Sequence, residues 1–148
     1  MSRTVRRAGI AIAAAVALAA TLSACSVRNP TQESLETAIP KALLAADLGI
    51  TSAEADTSTD GFAVNINASM EFEADDVTAE DLRTVLKIVV DNANITKASN
   101  VKVTAAVDPF TNGVYIDLGA LGEELGFSTG GDETFSATWN DVVDFVNE

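Results

Sequence analysis

Two strings in the chain have the form of a nucleophile motif: Gly126-Phe127-Ser128-Thr129-Gly130 fits G-x-S-x-G, and Ser99-Asn100-Val101-Lys102 fits S-x-x-K. Each chemistry needs its own scaffold. The first requires a strand before the serine, a helix after it and a histidine base. Here a helical pattern precedes, Gly131-Asp132 follows, and the 148 residues contain no histidine. The second requires Ser and Lys on one helix face, whereas residues three apart at the opening of a strand point to opposite faces. The absence of histidine also removes Ser-His-Asp and Cys-His catalysis and His-ligated zinc.

Carboxylates are the remaining catalytic side chains. Glu71, Glu73, Asp75, Asp76, Glu80 and Asp81 fall within eleven residues. Exported modules bind calcium weakly through such oxygens. However, no D-x-D-x-D-G loop is present, and the spacing suits a solvated strand end followed by acids at a helix N-terminus. A second group comprises Asp108, Phe110, Tyr115 and Asp117. A two-residue Asn112-Gly113 turn sets Asp108 directly opposite Asp117, an arrangement that needs solvent or a cation between the charges. Phe110 and Tyr115 then flank the pair on the same outward face. This aromatic-acidic patch is the expected binding surface, suited to a cationic or protein partner. A carboxylate glycosidase would need a deep cleft as well, which short connections do not provide. No cofactor or metal is expected.

The N-terminus has a different character. Arg3, Arg6 and Arg7 precede an Ala-rich apolar run of 13 residues, Ile10 to Leu22. A membrane-spanning helix takes roughly 18 to 20 apolar residues, so this run suits the core of a secretory signal peptide. At its end, Leu22-Ser23-Ala24-Cys25 resembles the lipobox of bacterial lipoproteins. The resemblance covers this leader alone and matches the following domain to no family. It implies a diacylglyceryl group on the Cys25 thiol, cleavage before Cys25 and acylation of the new amine; two or three chains hold a protein far more firmly than one. Val5 stands where a twin-arginine signal prefers Ser or Thr, so the ordinary secretory route is expected. The sequons Asn67-Ala68-Ser69 and Asn94-Ile95-Thr96 are then accidental.

The chain accordingly divides into a signal peptide (1–24), a lipidated Cys25 with its tether (25–30) and one domain (31–148). After cleavage six cations face 22 acids, a balance of −16. That charge disfavours nucleic acid. It also repels an anionic lipid surface, so the domain is expected to face away from the membrane despite a tether of at most roughly 17 Å. With Cys25 the one cysteine, no disulfide framework or thiolate site is available.

The elements that must position the patch follow from periodicity. Leu35, Ile39, Leu43 and Ala46 predict helix over Thr31–Leu48, kinked or restarted at Pro40 and stopped by Gly49. A weak strand over Thr51–Thr57, an Asp60-Gly61 turn and the alternation Phe62, Val64, Ile66, Ala68, Met70, Phe72 predict a hairpin, with Ala55 opposite Ile66 and Ala53 opposite Ala68. Thr78 and Asp81 form a capping box ahead of the stripe Leu82, Val85, Leu86, Val89. Val101, Val103, Ala105 and Val107 start a second hairpin, returning through Val114, Ile116 and Leu118, with Val107 opposite Leu118 and Pro109 opposite Ile116. A short helix over Ala120–Leu125, a surface loop over 126–134 and a helix over Thr138–Val146 burying Trp139, Val142, Val143 and Val146 complete the chain.

The fold class is α+β. The expected architecture is an antiparallel sheet of two hairpins with helices on one face, ordered helix, hairpin, helix, hairpin, helix, as a two-layer sandwich. The expected function is a lipid-anchored, non-enzymatic binding or accessory module on the extracytoplasmic face of the cell membrane, its partner an envelope protein or cationic ligand. The Ala- and Val-rich core, with eight aromatic residues in the whole chain, suggests as an alternative a carrier holding an apolar ligand between sheet and helices.

Overall fold

In the computed structural model, which describes residues 33–95, 97–107, 113–129 and 133–148, the periodicities resolve into α1 (Leu35–Leu44), β1 (Ile50–Asp60), β2 (Ala63–Phe72), α2 (Ala79–Asn92), β3 (Asn100–Val107), β4 (Val114–Tyr115), α3 (Leu118–Glu124), β5 (Phe135–Thr138) and α4 (Trp139–Val146). The class is α+β: one open sheet with helices packed against it.

α1 buries Leu35, Ala38, Ile39 and Leu43. Pro40 lies inside this single helix instead of starting a second one, and it removes the N–H that the Glu36 carbonyl would accept. The helix stops at Leu44, where the Ala45 and Ala46 N–H groups donate to the Lys41 and Leu43 carbonyls. Asp47 and Gly49 take φ values of +44° and +69°, and the chain turns into β1.

The first hairpin differs in register from the sequence expectation. Asp60 pairs with Ala63, so the two turn residues are Gly61 and Phe62. Gly61 has φ +61°, the geometry a Gly-X hairpin turn needs at its first central position. Ala55 therefore faces Ala68, and Ala53 faces Met70. The shift is two residues, so each side chain keeps its face. Phe62 is displaced from the apolar face to the turn tip, fully exposed.

α2 matches its sequence signature. Thr78 Oγ1 accepts from the Asp81 N–H, and the Asp81 carboxylate accepts from the Thr78 N–H at 2.8 Å. Leu82, Val85, Leu86 and Val89 are all buried.

The pairing of the two halves corrects the expected all-antiparallel sheet. β2 and β3 run parallel, Asn65 beside Asn100 through Phe72 beside Val107. A parallel neighbour needs a crossover of about a dozen residues or more, most often helical, and the 27 residues between β2 and β3, containing α2, supply it. β1–β2, β3–β4 and β3–β5 remain antiparallel, so the sheet is mixed.

The second hairpin is also corrected. Val107 pairs with Val114 and Ala106 with Tyr115, so the connection is the six residues 108–113 rather than Asn112-Gly113 alone. β4 is only two residues long, although the Ile116 N–H still donates to the Ala105 carbonyl at 3.0 Å. The chain then leaves the sheet to form α3 and returns as β5, which pairs with Asn100–Val103. β2 occupies one edge of β3, so β4 and β5 both lie along the other: one edge strand interrupted by an excursion. β5 and the position of α3 within that excursion add to the expected element order.

The core lies between the helices and the inward face of the sheet. Ile39, Leu43, Leu82, Leu86, Leu118 and Val142 from the helices meet Ile66, Val101, Val103 and Phe135 from the strands. In α4 Val142 is buried while Trp139, Phe145 and Val146 pack partly. Phe127, in the stretch expected to be surface loop, stacks edge-on against Phe135 and Phe145 at centroid distances of 5.0 and 4.9 Å. Arg83 of α2 caps that group, its guanidinium 4.4 Å from the Phe145 centroid. Among the described residues no helix is long and apolar enough to cross a membrane.

Candidate functional site

The side chains that alternate with the core residues form the outward face of the sheet, and apart from Ala106 and the Tyr115 ring their chemistry is polar. Register sets them in rows across the strands: Asp56, Asn67, Lys102 and Ser136 in one, Glu54, Ser69 and Thr104 in the next, Ser52, Glu71, Ala106 and Tyr115 in a third. Cross-strand neighbours bond to each other. The Asn67 amide donates to Asp56 Oδ1 at 2.6 Å and to Ser58 Oγ at 3.1 Å, Ser69 and Thr104 share a hydroxyl bond of 2.9 Å, and Asn100 donates to Asn65 Oδ1 at 2.8 Å.

Two hollows open on this face. One, of about 260 Å³, is lined by Ser52, Glu54, Ser69, Glu71, Thr104 and Tyr115 among others. The second, of about 460 Å³, lies beside Asn67, Lys102, Thr129, Thr134 and Ser136. Ser69 and Thr104, joined by their hydroxyl bond, line both. Tyr115 stands at the β4 side, 59% exposed. Lys102 forms no ion pair among the described residues, unlike Lys41, Arg83 and Lys87, which sit 3.1–3.4 Å from Glu33, Glu80 and Asp91.

Of the residues singled out in the sequence, Tyr115 takes the outward position expected of it. Asp117 does not face a strand residue: it is the N-cap of α3, its Oδ1 accepting from the Ala120 N–H at 2.9 Å. The four-residue change in register removes the expected opposition of Asp108 and Asp117. Asp108, Phe110 and Cys25 lie outside the described residues. Ser52, Glu54, Ser69 and Thr104 were not singled out, although the polar series Ser52, Glu54, Asp56, Ser58 alternates as clearly as any apolar one.

The other candidates have local structural roles. Ser128 is exposed, and the buried Thr129 donates to the Gly119 carbonyl at 2.9 Å, tying the loop after α3 back to that helix. Ser99 Oγ accepts from the Val64 N–H. Within the acidic stretch, Asp81 is committed to the capping box and Glu80 to Arg83, and among the described residues no three His, Cys, Asp or Glu side chains converge as metal ligands. The space between sheet and helices holds Phe135, Ile39, Leu43, Ile66, Leu82 and Leu86, each fully buried. Compared with family profiles, with curated protein sequences and with solved structures, the chain matches none.

Proposed function

We propose that the chain is a lipid-anchored, non-enzymatic binding module of the bacterial cell envelope, held at the extracytoplasmic face of the membrane by acyl chains on Cys25. On this reading the domain is a two-layer sandwich whose helices bury one face of the sheet, while the other face receives a protein or cationic partner. The observation that carries the reading is the outward face itself: a bonded lattice of polar side chains with a hollow beside the exposed ring of Tyr115. Aromatic rings next to satisfied polar groups are favoured at interfaces, because they bury a large area at little cost in side-chain entropy. The lipobox supplies the address, and the charge balance turns the domain away from anionic lipid.

Two measurements test this. Metabolic labelling with an alkyne palmitate is expected to mark the wild-type chain and to leave Cys25→Ala unmarked; an unmarked wild type overturns the anchor. Photo-crosslinking in intact envelopes is expected to trap a partner that Tyr115→Ala loses while its circular dichroism is unchanged. An identical set of adducts from both proteins overturns the surface.

A further inference from the structure

We propose that the free edge of β1 is a second binding site, one that takes up an extended cationic segment of a partner protein as an added strand. The argument begins with hydrogen-bond parity. A two-residue turn obliges its closing pair, Asp60 and Ala63, to exchange both backbone bonds, and bonding pairs then recur at every second residue. Ser58, Asp56, Glu54 and Ser52 therefore direct their N–H and C=O groups to β2. Thr59, Thr57, Ala55 and Ala53 direct theirs outward, where β1 ends the sheet. Among the described residues no backbone group bonds to those four from that side. The strand is 11 residues long, about twice the usual length, and such a row of unpaired groups is a template for strand addition.

Side-chain charge selects the occupant. Natural edges are commonly protected by charged side chains, especially lysine, by proline or by bulges. β1 contains no lysine or proline, its one register irregularity lies at its start between Ile50 and Ser52, and its charged residues are Glu54, Asp56 and Asp60. All three are even-numbered and so share the outward face, with Glu54 and Asp56 adjacent along it. All three are exposed. A second copy of β1 laid alongside would bring carboxylates against carboxylates, which is unfavourable. A strand bearing Lys or Arg at every second position would place its cations along the same face at the same repeat, roughly 6.6 Å. The occupant is therefore an extended segment with alternating cationic residues. The unpaired backbone lies at the opposite edge of the sheet from β4 and Tyr115 and does not depend on the lipid anchor. Glu54 also lines the hollow beside Tyr115, so the Tyr115 variant is what separates the two sites.

The test uses the full chain in detergent and blocked fluorescent octapeptides of alternating Lys and Val. Fluorescence anisotropy is expected to show saturable binding. It is expected to weaken at least about tenfold, or about 1.4 kcal/mol, when alternate peptide nitrogens on the bonding edge are methylated, a change that keeps charge and removes donors. Glu54→Gln with Asp56→Asn in the protein is expected to weaken it similarly. Thr57→Pro, which removes one outward donor and leaves the β2 ladder intact, is expected to do the same, whereas Tyr115→Ala is expected to bind as the wild type does. No binding overturns the proposal. Equal binding of the N-methylated and parent peptides also overturns it, by reducing the contact to charge attraction without strand pairing. Loss of binding in Tyr115→Ala alone would move the site to the outward face and overturn the edge assignment too.

Discussion

At the scale of single residues, small side chains and caps hold the excursion between β4 and β5 in place. A Cβ on Gly122 would stand 2.7 Å from the Cδ2 of Phe135 and 2.7 Å from the Cγ2 of Thr129. Phe135 is fully buried and cannot swing away. Gly122→Ala gains about 1 kcal/mol in helix propensity but forces overpacking that costs about 1–3 kcal/mol, so a net loss of stability is expected in urea denaturation. An unchanged or raised midpoint would show that α3 does not pack on β5 in this way. Asp117→Ala removes the α3 cap and is expected to cost about 1 kcal/mol, with no charge-pair relief, because Asp117 faces no strand residue. Tyr115→Ala, at an exposed position, is expected to stay within about 0.5 kcal/mol of wild type. That contrast makes Tyr115 the clean probe of binding and Asp117 a probe of folding, although the sequence placed both in one patch.

At the scale of elements, legibility followed the strength of the local signal. The start and buried face of α2 were readable to the residue because Thr78, Asp81 and a complete apolar stripe agree with one another. β2 and β3 were readable from alternation. Partnering was not, because alternation states which face is buried and leaves strand direction open; the crossover containing α2 decides that β2 and β3 are parallel. β5 escaped notice because only Phe135 of its four residues is fully buried, leaving no period to detect. The candidate surface was half legible: Tyr115 was found by its ring, while Ser52, Glu54, Ser69 and Thr104 gather only when three strands are set in register. The corrected turn has a measurable consequence. With Gly61-Phe62 as the turn, the Glu54, Asp56 and Ser58 amides are bonded and Ala55, Thr57 and Thr59 are free; an Asp60-Gly61 turn would reverse that parity. Amide hydrogen exchange by NMR is expected to protect the even-numbered set, and protection of the odd-numbered set would refute the register. In α1, Pro40→Ala restores a donor to the Glu36 carbonyl and is expected to raise the melting temperature.

At the scale of the whole molecule, charge governs behaviour. All 22 acids lie in residues 33–148 against five cations, Lys41, Arg83, Lys87, Lys97 and Lys102, a balance of −17. Added salt acts on this domain in two opposite directions. It weakens the three ion pairs of Lys41, Arg83 and Lys87, whose side chains are all 44–78% exposed and which are each worth at most about 0.5–1 kcal/mol. It also screens the repulsion among the carboxylates. The screening length falls from about 30 Å at 0.01 M to about 10 Å at 0.1 M salt, while a domain the size of residues 33–148 has a radius of gyration of about 13 Å. At the lower concentration every carboxylate therefore feels the whole domain, and at the higher only its neighbours. Unfolding separates the charges, so the repulsion bears mainly on the folded state. The many-charge term outweighs three solvated pairs, and the melting temperature is expected to rise between 0.01 and 0.1 M sodium chloride. A fall over that range would mean that local pairs, not net charge, dominate the electrostatics. It would also weaken the argument that the acidic edge of β1 selects a cationic strand, because both rest on an acidic field that the domain's own cations leave uncompensated.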